Sequence, residues 1–423
     1  MTMHVTPNGS IHEVPLDDLF FSTTDAKGVI DEANEVFTRN ARYPRETLIG
    51  APHNIIRHPD MPGAVFRVLW DGIEGGDPIA AYVLNLAGDG SAYWAFATIV
   101  RIGDRYLSVR SSPRNYEARD LLHGLYGQVR AAEVAARENE HLSAAAAAER
   151  GRDVLAAALA DNGYASYGDF QLDLVPEEVA AREAAGPVLP DLAEGPENLR
   201  TMVVLAGNAR TRLGDFAEQL TRSLHDADAL ARDLRRLRQP LTAIQSSHAD
   251  LALIGARAGD ALTMSASISD ELVSVRGIRK HLRLSTAIAR LQAEAVARYV
   301  VAVAEGREDP RVSERALASL TEALLAILDA DLQADAAATE AFTTRISDLT
   351  SLLGEMASLT RMVAQSVSEV SERRELEVAA ESLSDLLKRV RAGAETLGAT
   401  TAGLDRDRLA DELAKVVDLS SEV

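Results

Sequence analysis

The stretch with the densest chemistry is Pro52-His53-Asn54-Ile55-Ile56-Arg57-His58-Pro59-Asp60-Met61-Pro62. Histidines, an arginine and an aspartate stand in a proline-bounded loop ahead of an apolar helical run. The Arg57 guanidinium presents a planar fork of donors, suited to a phosphate or a carbonyl. The same side chains also have a plainer use, in which Arg57 pairs with Asp60 and the imidazoles satisfy nearby backbone. Asp60, just before Met61-Pro62, has the position of a helix N-cap with proline early in the first turn.

Other catalytic arrangements are thin. The chain has no cysteine, which excludes disulfides, thiolate zinc sites, iron–sulfur ligation and cysteine nucleophiles. No Ser-His-Asp set or carboxylate pair stands out. His248 and His281 lie on helical runs, but no glycine-rich nucleotide lid follows them, as a histidine kinase requires. Asp329, Asp331, Asp335 and Glu340 read as a solvated helical face. No enzyme is expected. A net charge of −20 repels phosphate backbones, so nucleic acid is not an expected partner.

The elements that must hold the 52–62 loop are legible on both sides of it. Leu19–Ser22 reads as a strand and Asp25–Gly28 as a turn. Ala33–Thr38 and Pro44–Leu48 read as short helices. Met61–Gly72 carries Val65, Val68 and Leu69 at helical spacing. Ile79–Leu86 and Ala92–Ile102 flank Gly88-Asp89-Gly90, a hairpin signal. Gly103-Asp104 then turns the chain into Tyr106–Ser111. That order of elements is the order of a PAS domain.

A closer likeness follows from the residues themselves. Phe21-Ser22-Thr23-Thr24-Asp25, Ala33-Asn34 with Phe37, the 52–62 loop, Phe66, Trp70, Gly76-Asp77-Pro78, Asn85, Gly88-Asp89-Gly90 and Tyr93-Trp94 occur in order over residues 18–112. This segment resembles the PAS domain of bacterial aerotaxis receptors, the flavin-binding energy sensors. The resemblance implies a noncovalent FAD, with Arg57, His58 and Asp60 contacting the ligand or shaping its pocket. Asn34, Phe66, Trp70 and Asn85 would line the cavity. Asparagine amides both donate and accept, which suits the polar edge of a flavin, and the ring needs an apolar slot. Haem is a lesser option, with His53 and His58 as candidate axial ligands. A ligand-free dimerisation scaffold is the alternative from another class. The sequence departs from the family at Ile79, where a tryptophan is usual, and in the uncharged run Leu84–Ala87 before the hairpin turn. The resemblance also implies a homodimer and a downstream partner such as a histidine kinase with its coupling protein.

Composition divides the rest of the chain. Aromatics are only 4% of it, and beyond residue 200 they are Phe216, Tyr299 and Phe342 alone, which favours long helices there. We expect an α+β PAS domain followed by an all-α long-helix or coiled-coil region. The expected parts are an N-terminal cap (1–17), the PAS sensor (18–115), a connecting helix (116–160), a Pro/Gly linker or lid (161–198) with one short helix over Pro176–Ala185, and a helical signalling or bundle region (199–423). Met202 to Leu237 nearly keeps an a/d register. So does the run Ile346, Leu349, Leu353, Met356, Thr360, Val363, Val367, Val370, and such spacing needs a facing helix. Pro240 should break the first of these helices, and Gly306–Pro310 should turn one helix into the next. Only faint echoes of a chemoreceptor hairpin occur, around Ile278–Glu294. Apolar runs such as Tyr299–Ala304 are too short to span a bilayer, and MTMHVTPNGS lacks a leader's basic and apolar regions. A soluble, cytoplasmic chain is expected.

Overall fold

β-branched and aromatic runs separated by glycine turns fold residues 19–111 into one antiparallel sheet. Its strands are β1 (Leu19–Thr24), β2 (Ile30–Ala33), β3 (Ile79–Leu86), β4 (Ala92–Ile102) and β5 (Arg105–Ser111), in the order β2-β1-β5-β4-β3. The structure is a computed structural model and describes residues 5–246, 252–308, 310–400 and 406–420. His248 lies outside the described residues, as does residue 309 of the expected Gly306–Pro310 turn.

Between β2 and β3 lie α1 (Glu35–Ala41), α2 (Arg45–Leu48), a 3-10 turn at His53–Ile56, and α3 (Gly63–Glu74). The expected elements of this domain are therefore present, with bounds moved by a few residues. Strand alternation sends successive side chains to opposite faces. On one face Ser22, Thr24, Val83, Asn85, Ala97, Ile99, Tyr106, Ser108 and Arg110 turn toward α3 and the 52–62 loop. The other face carries Phe21 against Tyr299, Tyr82 against Phe96, and Trp94 against His123.

The structure revises the next two segments. Residues 116–160 form not one helix but two, α4 (Tyr116–Asn139) and α5 (Ala144–Asp161). Ser143 starts the second by accepting from Ala146 N at 3.2 Å. Residues 161–198 are not a simple linker, because α6 (Tyr167–Ala184) occupies half of them with Pro176 inside it. An internal proline costs about 3 kcal/mol. Packing on the sheet offsets that cost. Tyr167 Oη donates to Ala80 O at 2.8 Å, Gln171 bridges Ala80 N and Pro78 O, and Tyr82 donates to Glu178 at 2.5 Å. Tyr167 and Gln171 thus satisfy backbone groups on the free edge of β3, which would otherwise invite another strand.

The helices that follow are α7 (Glu197–Arg236), α8 (Arg238–Ser246), α9 (Ala252–Ala304), α10 (Pro310–Ser366), α11 (Val370–Ala399) and α12 (Arg406–Ser420). The break between α7 and α8 falls three residues before Pro240, which cannot donate to the preceding turn. Gly306, at φ +70°, ends α9 in the left-handed region. No helix of the described residues is long and apolar enough to cross a membrane.

The chain divides into two compact units. One comprises Met1–Gly214, Leu284–Asp329 and Arg406–Val423, so part of the expected helical region folds with the sheet domain. Buried Arg182 and Glu294 pair at 2.8 Å within it, and Arg315 reaches Glu32 at 2.7 Å. The other unit, Asp215–Arg283 and Ala330–Asp405, is a helical bundle with its own apolar core. Glu355 meets Arg257 while Arg345 meets Glu271, so α9 and α10 run antiparallel, and Leu230 faces Gly393 while Asp233 meets Arg389, so α7 and α11 do too. The facing helices demanded by the a/d pattern come from the same chain. Asp335 corrects one expectation: it is 0% exposed and holds Arg279, also 0% exposed, at 2.9 Å. The same guanidinium reaches Ser223, Thr339 and the Leu397 carbonyl.

Candidate functional site

The 52–62 loop is stitched to the sheet before it can position anything. Arg57 forms an antiparallel bridge with Asn85, and His58 N donates to Leu84 O at 3.3 Å. Upstream, Gly28 sits at φ +76° in the β1–β2 turn, and a Cβ there would lie 3.0 Å from the Trp70 ring. The turn and α3 can close together only around a glycine. Beneath them lies a cavity of about 210 Å³ between α3, the loop and the sheet.

Five of the sequence-derived residues line it: His53, Arg57, Phe66, Trp70 and Asn85. Arg57 lays its guanidinium 3.4 Å above the Phe66 ring, and Trp70 meets Tyr106 edge-on at 5.5 Å. Ile56, Leu69, Ile73, Val83 and Ile99 supply apolar wall. The other three stand elsewhere. Asn34 caps α1, its Oδ1 accepting from Phe37 N and Phe21 N, each at 3.1 Å. His58 is buried behind the loop, with its Nδ1 accepting from Asp60 N at 3.2 Å. The Asp60 side chain is 81% exposed and caps no helix; the α3 N-cap position is Pro62. That helix start is capped from a distance, by Glu133 of α4, which accepts from Gly63 N at 3.0 Å and Ala64 N at 2.7 Å.

Arg110 is the residue that motif reading missed. It is only 3% exposed, lines the cavity, and faces Phe37 at 5.3 Å. Its Nη2 lies 2.5 Å from His53 Nε2, and its Nη1 donates to Ser22 Oγ at 3.1 Å. Strand parity would have found it, because Tyr106, Ser108 and Arg110 alternate onto the face that carries Asn85 across the sheet.

The electrostatics of this wall are one-sided. Arg57, Arg110 and Lys27 line the cavity, and no carboxylate does. Burial brings both guanidinium pKa values down to about 10, with Glu133 holding that of Arg57 up and Tyr93 that of Arg110. Both remain cations at neutral pH. Burial, then Arg110 and Arg57, pushes His53 well below its ordinary pKa. His53 is therefore neutral, accepting at Nε2 and carrying its proton on Nδ1. With Nε2 engaged by Arg110 and His58 behind the loop, neither histidine is set as a haem ligand. The described residues contain no group of three or more metal-ligating side chains.

Several buried donors here have no protein partner: Arg57 Nε, Asn85 Nδ2 and Ser108 Oγ. Asn85 is 5% exposed, and an unmet buried donor costs about 1–3 kcal/mol. A flavin ring fits this donor set, since it offers carbonyl and ring-nitrogen acceptors along one edge and apolar faces elsewhere.

No protein-family model matches the chain. Over 106 residues the sequence is 37% identical to the aerotaxis receptor of Escherichia coli (strain K12), covering 24% of this chain and 21% of that receptor. The matched segment is an aerotaxis-receptor-like PAS domain. The shared PAS segment spans about a fifth of the receptor's length. Among solved structures, the light state of the blue-light photoreceptor Aureochrome1 LOV is 20% identical at TM-score 0.23, covering 25% of this chain and 89% of its own. A PAS domain from Colwellia psychrerythraea is 21% identical at TM-score 0.21, covering 22% and 85%. The Rhodobacter sphaeroides LOV protein is 14% identical at TM-score 0.22, covering 34% and 89%. Within this PAS domain, Ile79 packs against Gly72 of α3 and is not part of the cavity wall.

Proposed function

We propose that this protein is a signal-transduction sensor whose PAS cavity holds a flavin ring, and that the ring's redox state is the signal. The observation that carries the reading is the pairing of unmet buried donors with a cation-only wall on a chain of net charge −20. A bound flavin supplies a ring whose charge and protonation change with its oxidation state. Asn85 Nδ2 and Ser108 Oγ would donate to its polar edge. Arg57 and Arg110 would favour negative charge in the cavity, and the apolar wall would exclude water. The neutral His53 keeps Arg110 aimed, as a positioning residue.

A change at Arg57 has a short route out of the cavity. Glu133 interacts with Arg57 electrostatically, caps α3 and belongs to α4. The pull of Arg57 on Glu133 would thus bear on how firmly α4 grips α3, and the helices would carry that difference to a partner protein. A chemotaxis-type kinase with its coupling protein is the partner class that the aerotaxis likeness favours. No reaction is assigned to the chain; its role is recognition and relay.

Titration of the flavin-stripped protein with riboflavin, the ring without phosphates, tests the cavity. Asn85→Leu and Arg57→Met should each weaken binding on the order of tenfold, the cost of one lost charge-assisted or buried hydrogen bond. Unchanged affinity in both variants would remove the cavity from the account.

A further inference from the structure

The N-terminal residues lie along the turn end of the β3–β4 hairpin as a short strap. Asn8 N donates to Gly90 O at 2.8 Å, Ala92 N to Ser10 O at 2.8 Å, and His12 N to Ala92 O at 2.9 Å. Ile11 bridges Ala92 in parallel register. Gly90, at φ +86°, admits the strap, since a Cβ there would lie 2.7 Å from Thr6 O. The strap carries Asn8-Gly9, one of two Asn-Gly pairs in the chain; the other, Asn162-Gly163, follows α5. An asparagine before glycine is prone to lose its amide, because no Cβ shields the glycine nitrogen from the side-chain carbonyl carbon. The fold treats the two pairs oppositely.

At the end of α5 both reacting nitrogens are held. Gly163 N donates to Ala160 O at 2.9 Å, and Asn162 Nδ2 donates to Ala158 O at 2.8 Å. Gly9 N, by contrast, has no hydrogen-bond partner among the described residues. Nothing lies within 4 Å of the place its Cβ would take, and Asn8 is exposed to water. Asn8 Oδ1 accepts from Ser10 N at 2.8 Å and from Ser10 Oγ at 2.6 Å. Those two donors meet the oxygen that becomes an oxyanion when the amide carbon is attacked.

We infer that Asn8-Gly9 is a self-modification site, whose conversion to aspartate or isoaspartate releases the strap from the hairpin. Hydroxide takes the proton of Gly9 N, the nitrogen bonds to Asn8 Cγ, and the carbonyl electron pair moves to Oδ1. Collapse returns that pair and breaks the Cγ–Nδ2 bond. Ammonia leaves with a proton from water, which restores the hydroxide. Water then opens the cyclic imide at either carbonyl. One opening gives aspartate, and the other routes the main chain through the side chain as isoaspartate. Neither product keeps the Nδ2–H that donates to Asp89 O at 3.2 Å, and each adds a negative charge beside Asp89. Isoaspartate also lengthens the main chain by one carbon between the bonds to Gly90 and Ala92, which breaks their register.

The test is incubation of the purified full chain in mildly alkaline buffer, folded and in urea, with peptide mapping by mass spectrometry. In urea the two pairs should convert at like rates. In the folded chain Asn162 should slow at least about tenfold, while Asn8 should keep its unfolded rate or exceed it. Ser10→Ala, which removes one of the two donors, should slow Asn8 by about threefold or more. Hydrogen exchange at Ala92 N should quicken in the converted protein, and freshly prepared Asn8→Asp should show part of that gain. Slowing of Asn8 in the fold to match Asn162, or an unchanged rate in Ser10→Ala, would overturn the site. Full conversion with exchange at Ala92 unaltered would overturn the release.

Discussion

At the scale of single residues, the site is a set of unmet donors more than a motif. The loop motif pointed to Arg57, because charged groups between prolines are visible in any sequence, and the family resemblance pointed to Asn85. Arg110 was hidden inside a strand, where its neighbours Val109 and Ser111 read as ordinary sheet residues. Asn34 misled for the opposite reason. An asparagine before Glu35 suits a polar ligand, yet it suits a helix N-cap better, and the cap won. His53 makes a prediction at this scale. Folding holds it neutral, so below its ordinary pKa of 6.5 the unfolded chain binds a proton that the folded chain does not. Its contribution is therefore complete above pH 6.5 and drains as pH falls toward the depressed folded value, by up to about 1.4 kcal/mol per pH unit. Thermal melting of the wild type should weaken over that range, and His53→Gln, which keeps an acceptor for Arg110, should flatten the slope. An unchanged slope would mean that His53 titrates normally.

At the scale of elements, α3 is held at its first turn by a residue from another helix. Glu133 replaces the local cap that Asp60 had been expected to provide. Glu133→Ala should cost about 2–3 kcal/mol in denaturant unfolding, since two amides lose a charged acceptor and Arg130 loses its pair. Glu133→Gln should cost less. Equal stability of all three proteins would show that α3 needs no such cap. The bundle offers a parallel case. Arg279→Met should destabilise by about 3–5 kcal/mol because the buried Asp335 loses its guanidinium partner, whereas Arg279→Met/Asp335→Leu should recover most of that loss. The a/d pattern made these helices legible, since Ile346, Leu349, Leu353 and Met356 are all buried where the spacing placed them. The pattern failed at its end: Val370 is 77% exposed, because α10 stops at Ser366 and the register stops with it. Helix α6 was legible only in its second half, as the short helix expected over Pro176–Ala185; its first half was not, because Pro176 and the glycines before it read as a linker. The contacts that outweigh the proline, from Tyr167, Gln171 and Glu178 to the sheet, link residues about 90 apart and leave no local trace.

At the scale of the whole molecule, the fold class was legible and the division into units was not. The sequence order suggested a sensor followed by a separate helical region. Instead Leu284–Asp329 folds with the sheet domain, and Tyr299 of that segment packs edge-on against Phe21 of β1. Helices α9 and α10 each contribute residues to both units, so the sensor's contacts and the bundle's contacts lie on the same helices. A sensor reading needs such continuity, but the ligand decides whether there is a signal to carry. The most direct test is the absorption spectrum of the freshly purified full chain, recorded before and after dithionite. The account predicts paired flavin bands in the visible and near ultraviolet that bleach on reduction and return in air. A protein without these bands, which gains none after incubation with FAD, would contradict it.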